Sequence, residues 1–238
     1  MEKEIIHRIR VKTANAWLVS GQNGWMVMDS GPPGCAGTFF KGLKSLGIPP
    51  QDIRLAVATH VHFDHVGNLA RIREASGCKI LAPEKEAHLI EKGAWVLPGP
   101  TSFWTGVAIG LGKRMPGLLQ RVTRYRPFPV DIYATGPLSL APYGFDAVVL
   151  PTPGHTPGSV SILTAQGNAF VGDLAYNELP WLRHTVSPPF IMDQDAVFVS
   201  WNLLLQKSAK TIHPGHGACF DARLMEKALP LASLGPRR

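Results

Sequence analysis

The most informative stretch of this 238-residue chain is Thr59-His60-Val61-His62-Phe63-Asp64-His65, which begins where the apolar run Leu55-Ala56-Val57-Ala58-Thr59 ends. The apolar run predicts a buried strand, and in extended chain the first two histidines project to the same side. The chain then turns, so we expect the aspartate and the last histidine to point at a second position nearby. Three imidazoles and a carboxylate within six residues suit zinc, iron, manganese or cobalt. The stretch therefore predicts a metal site at a strand end.

Three further segments place the same kinds of side chain after predicted strands. His155 lies in a turn rich in proline and glycine, after the strand that ends at Leu150. Asp173 directly follows another strand, and His216 is flanked by glycines after a strand near Ile212. Together with the first stretch, these positions bring five of the nine histidines and two aspartates to strand ends. All of them point to the same metal chemistry.

The order HxHxDH, GH, GD and GHG resembles the metallo-β-lactamase superfamily of hydrolases, and the match extends from Asp29-Ser30-Gly31 to His216. The resemblance implies an α/β fold, a four-layer αβ/βα sandwich, as a single domain over residues 1–238. It also implies two divalent metal ions in the cleft between the sheets, zinc in the first place, with iron, manganese or cobalt as alternatives. By motif position the implied ligands are His60, His62 and His155 for the first ion, Asp64, His65 and His216 for the second, and Asp173 between them.

The resemblance implies hydrolysis by a hydroxide that bridges the two ions. Two divalent ions about 3.5–4 Å apart lower the pKa of a shared water toward about 7 and polarise the substrate oxygen. Asp64 is an implied catalytic residue, which receives or relays a proton in addition to binding metal. Tyr176 is similar to a tyrosine of the N-acyl-homoserine lactonases that hydrogen-bonds the substrate carbonyl. A packing role for this tyrosine is the alternative.

The expected substrate is a small molecule with a lactone, ester or thioester bond. The segment Thr152-Pro153-Gly154-His155-Thr156-Pro157-Gly158-Ser159 also resembles the glyoxalase II-like thioesterases. Only 22 residues follow His216, too few for the helical domain that binds glutathione in glyoxalase II, so we do not expect a glutathione thioester. Two alternatives remain open, a phosphodiesterase or nuclease of the same fold and an oxidoreductase resembling the persulfide dioxygenases, which use a single iron.

Composition and charge narrow the class of protein. Hydrophobic residues make up 45% and charged residues 17%, as in globular proteins. Glycine and proline together are 45 of 238 residues, which predicts many shaped turns and argues against a helical bundle. Six basic residues and no acid lie between Lys92 and Val130, so most of the net charge of +7 is local. Nucleic acid is therefore not an expected partner.

The segment 92–130 interrupts the rhythm of strands and helices, and we expect an inserted cap or interface. Residues 93–112 are uncharged and rich in glycine, whereas 115–126 alternate apolar and basic residues with helical spacing. A lid over the cleft or a homodimer contact is favoured, and contact with a membrane surface is the alternative. As a cap, the segment offers an apolar wall from Trp95, Phe103, Trp104, Tyr125 and Phe128. Arg121, Arg124 or Arg126 would then meet an anionic group on the substrate.

The remaining pattern predicts alternating strands and helices. Strands are expected at 16–19, 25–28, 55–59, 79–82, 147–150, 160–163, 169–171 and 210–212. Helices are expected at 38–46, 67–75, 83–91 and 195–208. The three cysteines are widely spaced, which predicts that they are reduced. The N-terminus is acidic and lacks the apolar run of a signal peptide, so we expect a cytoplasmic protein. If 92–130 touches lipid, the protein would be peripheral to a membrane. His7, His88, His184 and His213 have no motif support and are predicted not to bind metal.

Overall fold

The computed structural model describes residues 4–95, 110, 114, 116–177 and 186–229. These residues form two six-stranded sheets. The strands of the first sheet, in chain order and in spatial order, are β1 (Ile6–Val11), β2 (Ala14–Gly21), β3 (Gly24–Met28), β4 (Ile53–Val57), β5 (Lys79–Pro83) and β6 (Ile132–Ala134). The first three strands pair antiparallel, and β3 to β6 pair parallel.

The second sheet runs in the opposite spatial order, from β12 to β7. Its strands are β7 (Leu138–Ser139), β8 (Ala147–Pro151), β9 (Val160–Thr164), β10 (Asn168–Gly172), β11 (Thr211–Pro214) and β12 (Phe220–Asp221). The pairing is antiparallel except between β10 and β11, which are parallel.

The helices are distributed over the two outer faces of the sheets. They are α1 (Ala36–Ser45), α2 (Phe63–Val66), α3 (Leu69–Ser76), α4 (Glu84–Lys92), α5 (Pro116–Thr123), α6 (Gln194–Gln206) and α7 (Arg223–Ala228). One core joins the first sheet to α1, α3 and α4, and a second core joins the other sheet to α6 and α7. Burial of one apolar face of each helix on a sheet drives this arrangement.

A third core lies between the two sheets. Met28, Val57 and Leu81 of the first sheet pack in one cluster with Val149 and Phe170 of the second. The layers are therefore helices, sheet, sheet and helices, and the predicted α/β sandwich is confirmed. Because the sheets are in contact, loops at the same end of both can contribute to one site.

Most predicted elements lie within a few residues of the observed ones, and the differences have local causes. The helix expected at 67–75 corresponds to α3 alone, and the short helix α2, which was not expected, precedes it, with a break at Gly67 and Asn68. The Asn68 amide donates to the carbonyls of Ser30 and Gly31, at 2.8 and 3.1 Å, and holds the chain at this break. The sequence pattern did not delimit β1, β6, β7 or β12, because β1 is rich in polar residues and the other three strands have only two or three residues each.

The structure describes only part of the segment 92–130. Phe103 and Trp104 lie outside the described residues, and the roles of the segment as cap, dimer contact or membrane contact stay predictions. Within the described ranges, no helix combines the length and apolar character needed to cross a bilayer. The expectation for two aromatic residues was wrong, because Tyr125 and Phe128 are buried in the core of the first sheet instead of forming a wall of the cleft. Arg126 forms an ion pair with Glu74 on the exposed face of α3.

His213 on β11 is buried in the core, as expected for a histidine without a ligand role. Its ring stacks on Phe170 at 4.5 Å between centroids and meets the edge of Trp17 at 4.7 Å. Its Nε2 lies 2.9 Å from the side-chain oxygen of Asn168. Burial lowers the pKa of His213 to about 4, so the ring is neutral at neutral pH.

We predict that His213→Gln makes the protein less sensitive to mild acid. Because the pKa in the folded state lies below the usual value of 6.5, protonation favours the unfolded chain as pH falls from 6.5 to about 4. The cost at pH 5 is on the order of 2 kcal/mol. Urea unfolding of the metal-free protein at about pH 7.5 and about pH 5 should therefore show a loss about 2 kcal/mol smaller in the variant. His88→Gln, at an exposed position of α4, is the control. An equal loss of stability in the wild type and both variants would contradict the prediction.

Candidate metal centre

The seven predicted ligands all follow the carboxyl ends of strands, at one end of the two sheets. His60 and His62 follow β4, and α2 carries Asp64 and His65. In the second sheet, His155 follows β8, Asp173 follows β10 and His216 follows β11. The structure brings all seven side chains together in two groups of donor atoms. The groups are His60, His62, His155 and Asp173, and Asp64, His65 and His216.

The first group has its nitrogen atoms at the spacing of ligands on one ion. His62 Nδ1 lies 3.0 Å from His60 Nε2 and 3.0 Å from His155 Nε2. Two nitrogens bound to one zinc ion at roughly 2.0–2.1 Å are about 3.0–3.4 Å apart at common coordination angles. If one proton is shared among these three nitrogens, at least two of them still have lone pairs that face each other. One cation would instead accept a lone pair from each of the three nitrogens.

Asp173 lies between the two groups. Its Oδ2 is 3.7 Å from His155 Nε2 in the first group. Its Oδ1 is 3.2 Å from His65 Nε2 and 3.5 Å from His216 Nε2 in the second. Asp64 completes the second group, with Oδ2 at 3.4 Å from His216 Nε2. One carboxylate thus faces both groups with different oxygens.

Unpaired polar atoms test whether these residues fit a metal ion. Among the described residues, the buried side-chain atoms without a hydrogen-bond partner include His65 Nε2 and Asp173 Oδ1, which face each other, and His62 Nε2. Buried polar groups are normally paired. His65 Nε2 belongs to the second group and Asp173 Oδ1 faces that group, so a cation there would satisfy both atoms. The residues present therefore fit a pair of metal ions.

Glycines at two strand ends leave room for this centre. A Cβ on Gly172 would lie 2.3 Å from Thr59 Oγ1, and the positive φ of 52° at this position also favours glycine. A Cβ on Gly215 would lie 2.6 Å from both Asp173 Oδ1 and a ring carbon of His65. The glycines before Asp173 and His216 thus allow two loops of the second sheet to approach the loop of the first.

The histidines of the first group are neutral because they are buried. Burial lowers the pKa of His62 to about 3, and the neighbouring His155 adds to the effect. Burial also lowers the pKa of His155 and brings that of His60 well below its usual range. Unprotonated imidazole is the form that binds metal. The first group is therefore ready to bind an ion at neutral pH without losing a proton.

Carboxylates dominate the electrostatics of the second group. Burial opposes a charge on His65, but Asp173 and Asp29 raise its pKa well above the usual value. Burial likewise opposes a charge on His216, and Asp173 raises its pKa. Burial disfavours charge on Asp64 too, yet His65 and His216 lower its pKa to about 2. The group therefore favours positive charge, carried either by protons or by a metal ion.

Asp29 supports ligands of both groups, although no separate feature of the sequence pointed to this role. Its Oδ2 lies 2.8 Å from His65 Nδ1 and accepts a hydrogen bond from Thr59 Oγ1 at 2.8 Å. Thr59 Oγ1 is in turn 3.0 Å from His60 Nδ1. Hydrogen bonds of this kind fix the ring orientation and leave Nε2 for metal. Asp29 adopts a left-handed backbone conformation, with φ of 60°, at the end of β3.

Backbone carbonyls orient the two remaining ligands that use Nε2. His155 Nδ1 lies 2.7 Å from the carbonyl oxygen of Phe190, and His216 Nδ1 lies 2.9 Å from that of Thr13 in the turn between β1 and β2. Both rings therefore donate from Nδ1 and present Nε2 to the centre. His62 differs, because its Nδ1 faces the other nitrogens of the first group.

Aromatic side chains border the two groups. Trp95 meets His62 and Phe63 edge to face, with ring centroids 6.1 and 5.2 Å apart. Tyr176 is half-buried beside the second group, with its ring 5.1 Å from that of His216. Of the residues expected to form an apolar wall, Trp95 is thus next to the donor atoms.

Comparisons with known proteins agree with this geometry. The family model described as the metallo-beta-lactamase superfamily matches residues 9–216. Acyl-coenzyme A thioesterase MBLAC2 of Gallus gallus is 26% identical and covers 92% of this chain and 77% of that protein. N-acyl homoserine lactonase AttM of Rhizobium radiobacter is 27% identical over 61% of this chain and 46% of that protein. The solved structure of BLEG-1 B3 metallo-beta-lactamase is similar in fold, with a TM-score of 0.69, 20% identity and coverage of 95% of this chain and 98% of that one.

We predict that Asp29→Asn weakens zinc binding about 10- to 100-fold, as is typical when a partner of a metal ligand is removed. In the variant one carboxylate oxygen is replaced by an NH2 group, which cannot accept the hydrogen bond that Asp29 Oδ1 takes from the backbone N–H of Thr59 at 2.9 Å, and the negative charge beside His65 is lost. Competition with a chromophoric chelator measures the affinity, and circular dichroism checks the fold. Asp195→Asn, at an exposed position of α6, is the control. An unchanged affinity in Asp29→Asn would show that the ligands need no support from this carboxylate.

Proposed function

We propose a function from the premise that the chain belongs to the metallo-β-lactamase superfamily and is a metal-dependent hydrolase. In this proposal it binds two divalent metal ions and hydrolyses a lactone, ester or thioester. The first group, with Asp173, would hold one ion, and the second group, with the other oxygen of Asp173, would hold the second. Zinc is the favoured metal because imidazole and carboxylate ligands in this number suit it.

The observation that carries the proposal is the position of Asp173. Its two oxygens face different donor groups, at 3.7 Å from His155 Nε2 and 3.2 Å from His65 Nε2. Seven donors divided between two groups are more than a single ion would bind. A carboxylate between two clusters of imidazoles supports a pair of neighbouring ions.

When bound, two such ions lower the pKa of water and polarise the oxygen of the bond to be cleaved. The residues of the chain supply the remaining functions. Asp64 is the residue we propose to hold a proton during bond breaking. Its side chain is half-buried and 22% exposed, so it contacts both the centre and the solvent of the cleft. The carboxylates Asp64 and Asp173 offset only part of the charge of two divalent ions.

Tyr176 is proposed to contact the substrate carbonyl. It directly borders His216 and is only half-buried, which leaves part of its surface available to the cleft. A phenol beside the metal centre can donate a hydrogen bond to an oxygen on which negative charge develops.

The substrate class follows from the surroundings of the first group. Trp95 and Phe63 form an edge-to-face aromatic pair next to His62, which favours an apolar or aromatic group on the substrate. The two relatives are named as a lactonase and a thioesterase, and such enzymes cleave an acyl carbon–oxygen or carbon–sulfur bond. A small acyl substrate with an apolar portion therefore fits best.

Metal analysis combined with a substrate panel tests the proposed function. We expect about two zinc ions per chain and turnover of lactones or thioesters. Asp173→Ala is the matched variant, and it should lose metal and turnover together. Retention of both in this variant would contradict the proposed site. One iron per chain with oxygen consumption would instead indicate a dioxygenase, and selective cleavage of phosphodiesters would indicate a phosphodiesterase.

We predict that Tyr176→Phe slows turnover by about ten- to a thousandfold while zinc content is unchanged, because the variant lacks only the donor to the developing oxyanion. Steady-state kinetics on the best lactone or thioester of the panel measure the effect, which should be mainly in kcat. Tyr143→Phe, in the turn between β7 and β8, is the control. Wild-type kcat in Tyr176→Phe would assign Tyr176 to packing.

A further inference from the structure

Glu86 is a buried carboxylate whose hydrogen bonds lead directly to the first group. It lies in the first turn of α4 and is only 3% exposed. Its Oε2 accepts from the backbone N–H of Val61 at 2.8 Å, and its Oε1 accepts from that of Gly158 at 2.8 Å. A carboxylate is withdrawn from water at a large cost unless it is well hydrogen-bonded. Its position between two N–H groups therefore requires an explanation.

The two donors belong to the loops that carry the ligands of the first group. Val61 stands between His60 and His62 in the loop after β4, and Gly158 is in the turn that carries His155 after β8. These loops come from different sheets. The side chain of Glu86 therefore joins the loop of the first sheet to the loop of the second at the place where their histidines meet.

Gly158 packs against this carboxylate and leaves no room for a side chain of its own. A Cβ at that position would lie 2.6 Å from Glu86 Oε1 and 2.7 Å from Cγ, both closer than real contacts allow. Gly158 is not among the glycines with positive φ, so its backbone would accept alanine. A methyl group there would therefore act on the protein through the displacement of Glu86.

We propose that Glu86 is a positioning residue that sets the spacing between His62 and His155 and thereby the affinity of the first group for its ion. The inference rests on the proposed metal centre. A shared carboxylate fixes both loops relative to α4, and the two ring nitrogens are 3.0 Å apart as a result. Flexibility in either loop would separate them.

The effect of Glu86 is expected to be selective for the first ion. The second group has separate supports, because Asp29 orients His65 and the carbonyl of Thr13 orients His216. Neither support involves α4. Loss of the Glu86 carboxylate should thus leave the second group in place.

The test is Glu86→Gln in the full chain. Glutamine has one acceptor oxygen, so its amide nitrogen would face one of the two N–H groups. We expect the zinc affinity of the second group to change little and that of the first group to fall about 10- to 100-fold. Cobalt substitution gives a second readout, since the visible absorption of the ion at the first group should change. In the metal-free variant, amide hydrogen exchange of Val61 and Gly158 should be faster.

Two further variants separate positioning from a general effect on stability. Gly158→Ala should reproduce the loss of zinc affinity, and the double variant with Glu86→Gln should be no weaker than the worse single variant, because both act on one contact. Glu84→Gln, at an exposed position in the same turn of α4, should behave as wild type.

The possible results are distinct. A lower melting temperature with wild-type zinc affinity and a wild-type cobalt spectrum, in both Glu86→Gln and Gly158→Ala, would overturn the positioning role. If Glu86→Gln does not fold, Gly158→Ala alone decides. A wild-type protein that binds no zinc would instead refute the proposed metal centre itself.

Discussion

Five imidazoles and two carboxylates are withdrawn from water at one end of the two sheets, and the fold must balance the charges that meet there. Burial opposes charge on every one of these groups, yet the second group holds Asp64 and Asp173 ionised beside His65 and His216. Protons on His65 and His216, or divalent cations, can balance these carboxylates. The geometry of the loops, the glycines beside them and the supporting hydrogen bonds are all consistent with this requirement.

Three supports of the centre come from the half of the chain that forms the first sheet, and two of them reach loops of the second sheet. Asp29, at the end of β3, reaches His65 directly and His60 through Thr59. The turn between β1 and β2 reaches across to His216, and Glu86 connects the two loops of the first group. Because each support crosses from one element to another, the spacing of the donor atoms depends on how the sheets pack. The core between the sheets therefore contributes to the spacing of the donor atoms as well as to stability.

The sandwich fold and the grouping of the seven side chains were predictable from the sequence because each motif is short and follows an apolar strand. The supports of the ligands were not predictable from the sequence. Glu86, for example, contacts Val61 and Gly158 through their backbone N–H groups, and both residues are distant from it in sequence. Tyr125 and Phe128 were assigned to the cleft because aromatic residues fit either a cleft or a core, and only packing distinguishes the two. The break between α2 and α3 depends on side-chain bonds of Asn68, which propensity does not report.

The central claim is that one carboxylate lies between two metal ions held by imidazoles from both sheets. A crystal structure of the zinc-loaded protein with anomalous data collected on both sides of the zinc edge tests it most directly. The account predicts two anomalous peaks about 3.5–4 Å apart, one on each side of the Asp173 carboxylate. A single peak remote from Asp173, or no peak in crystals grown with ample zinc, would contradict it.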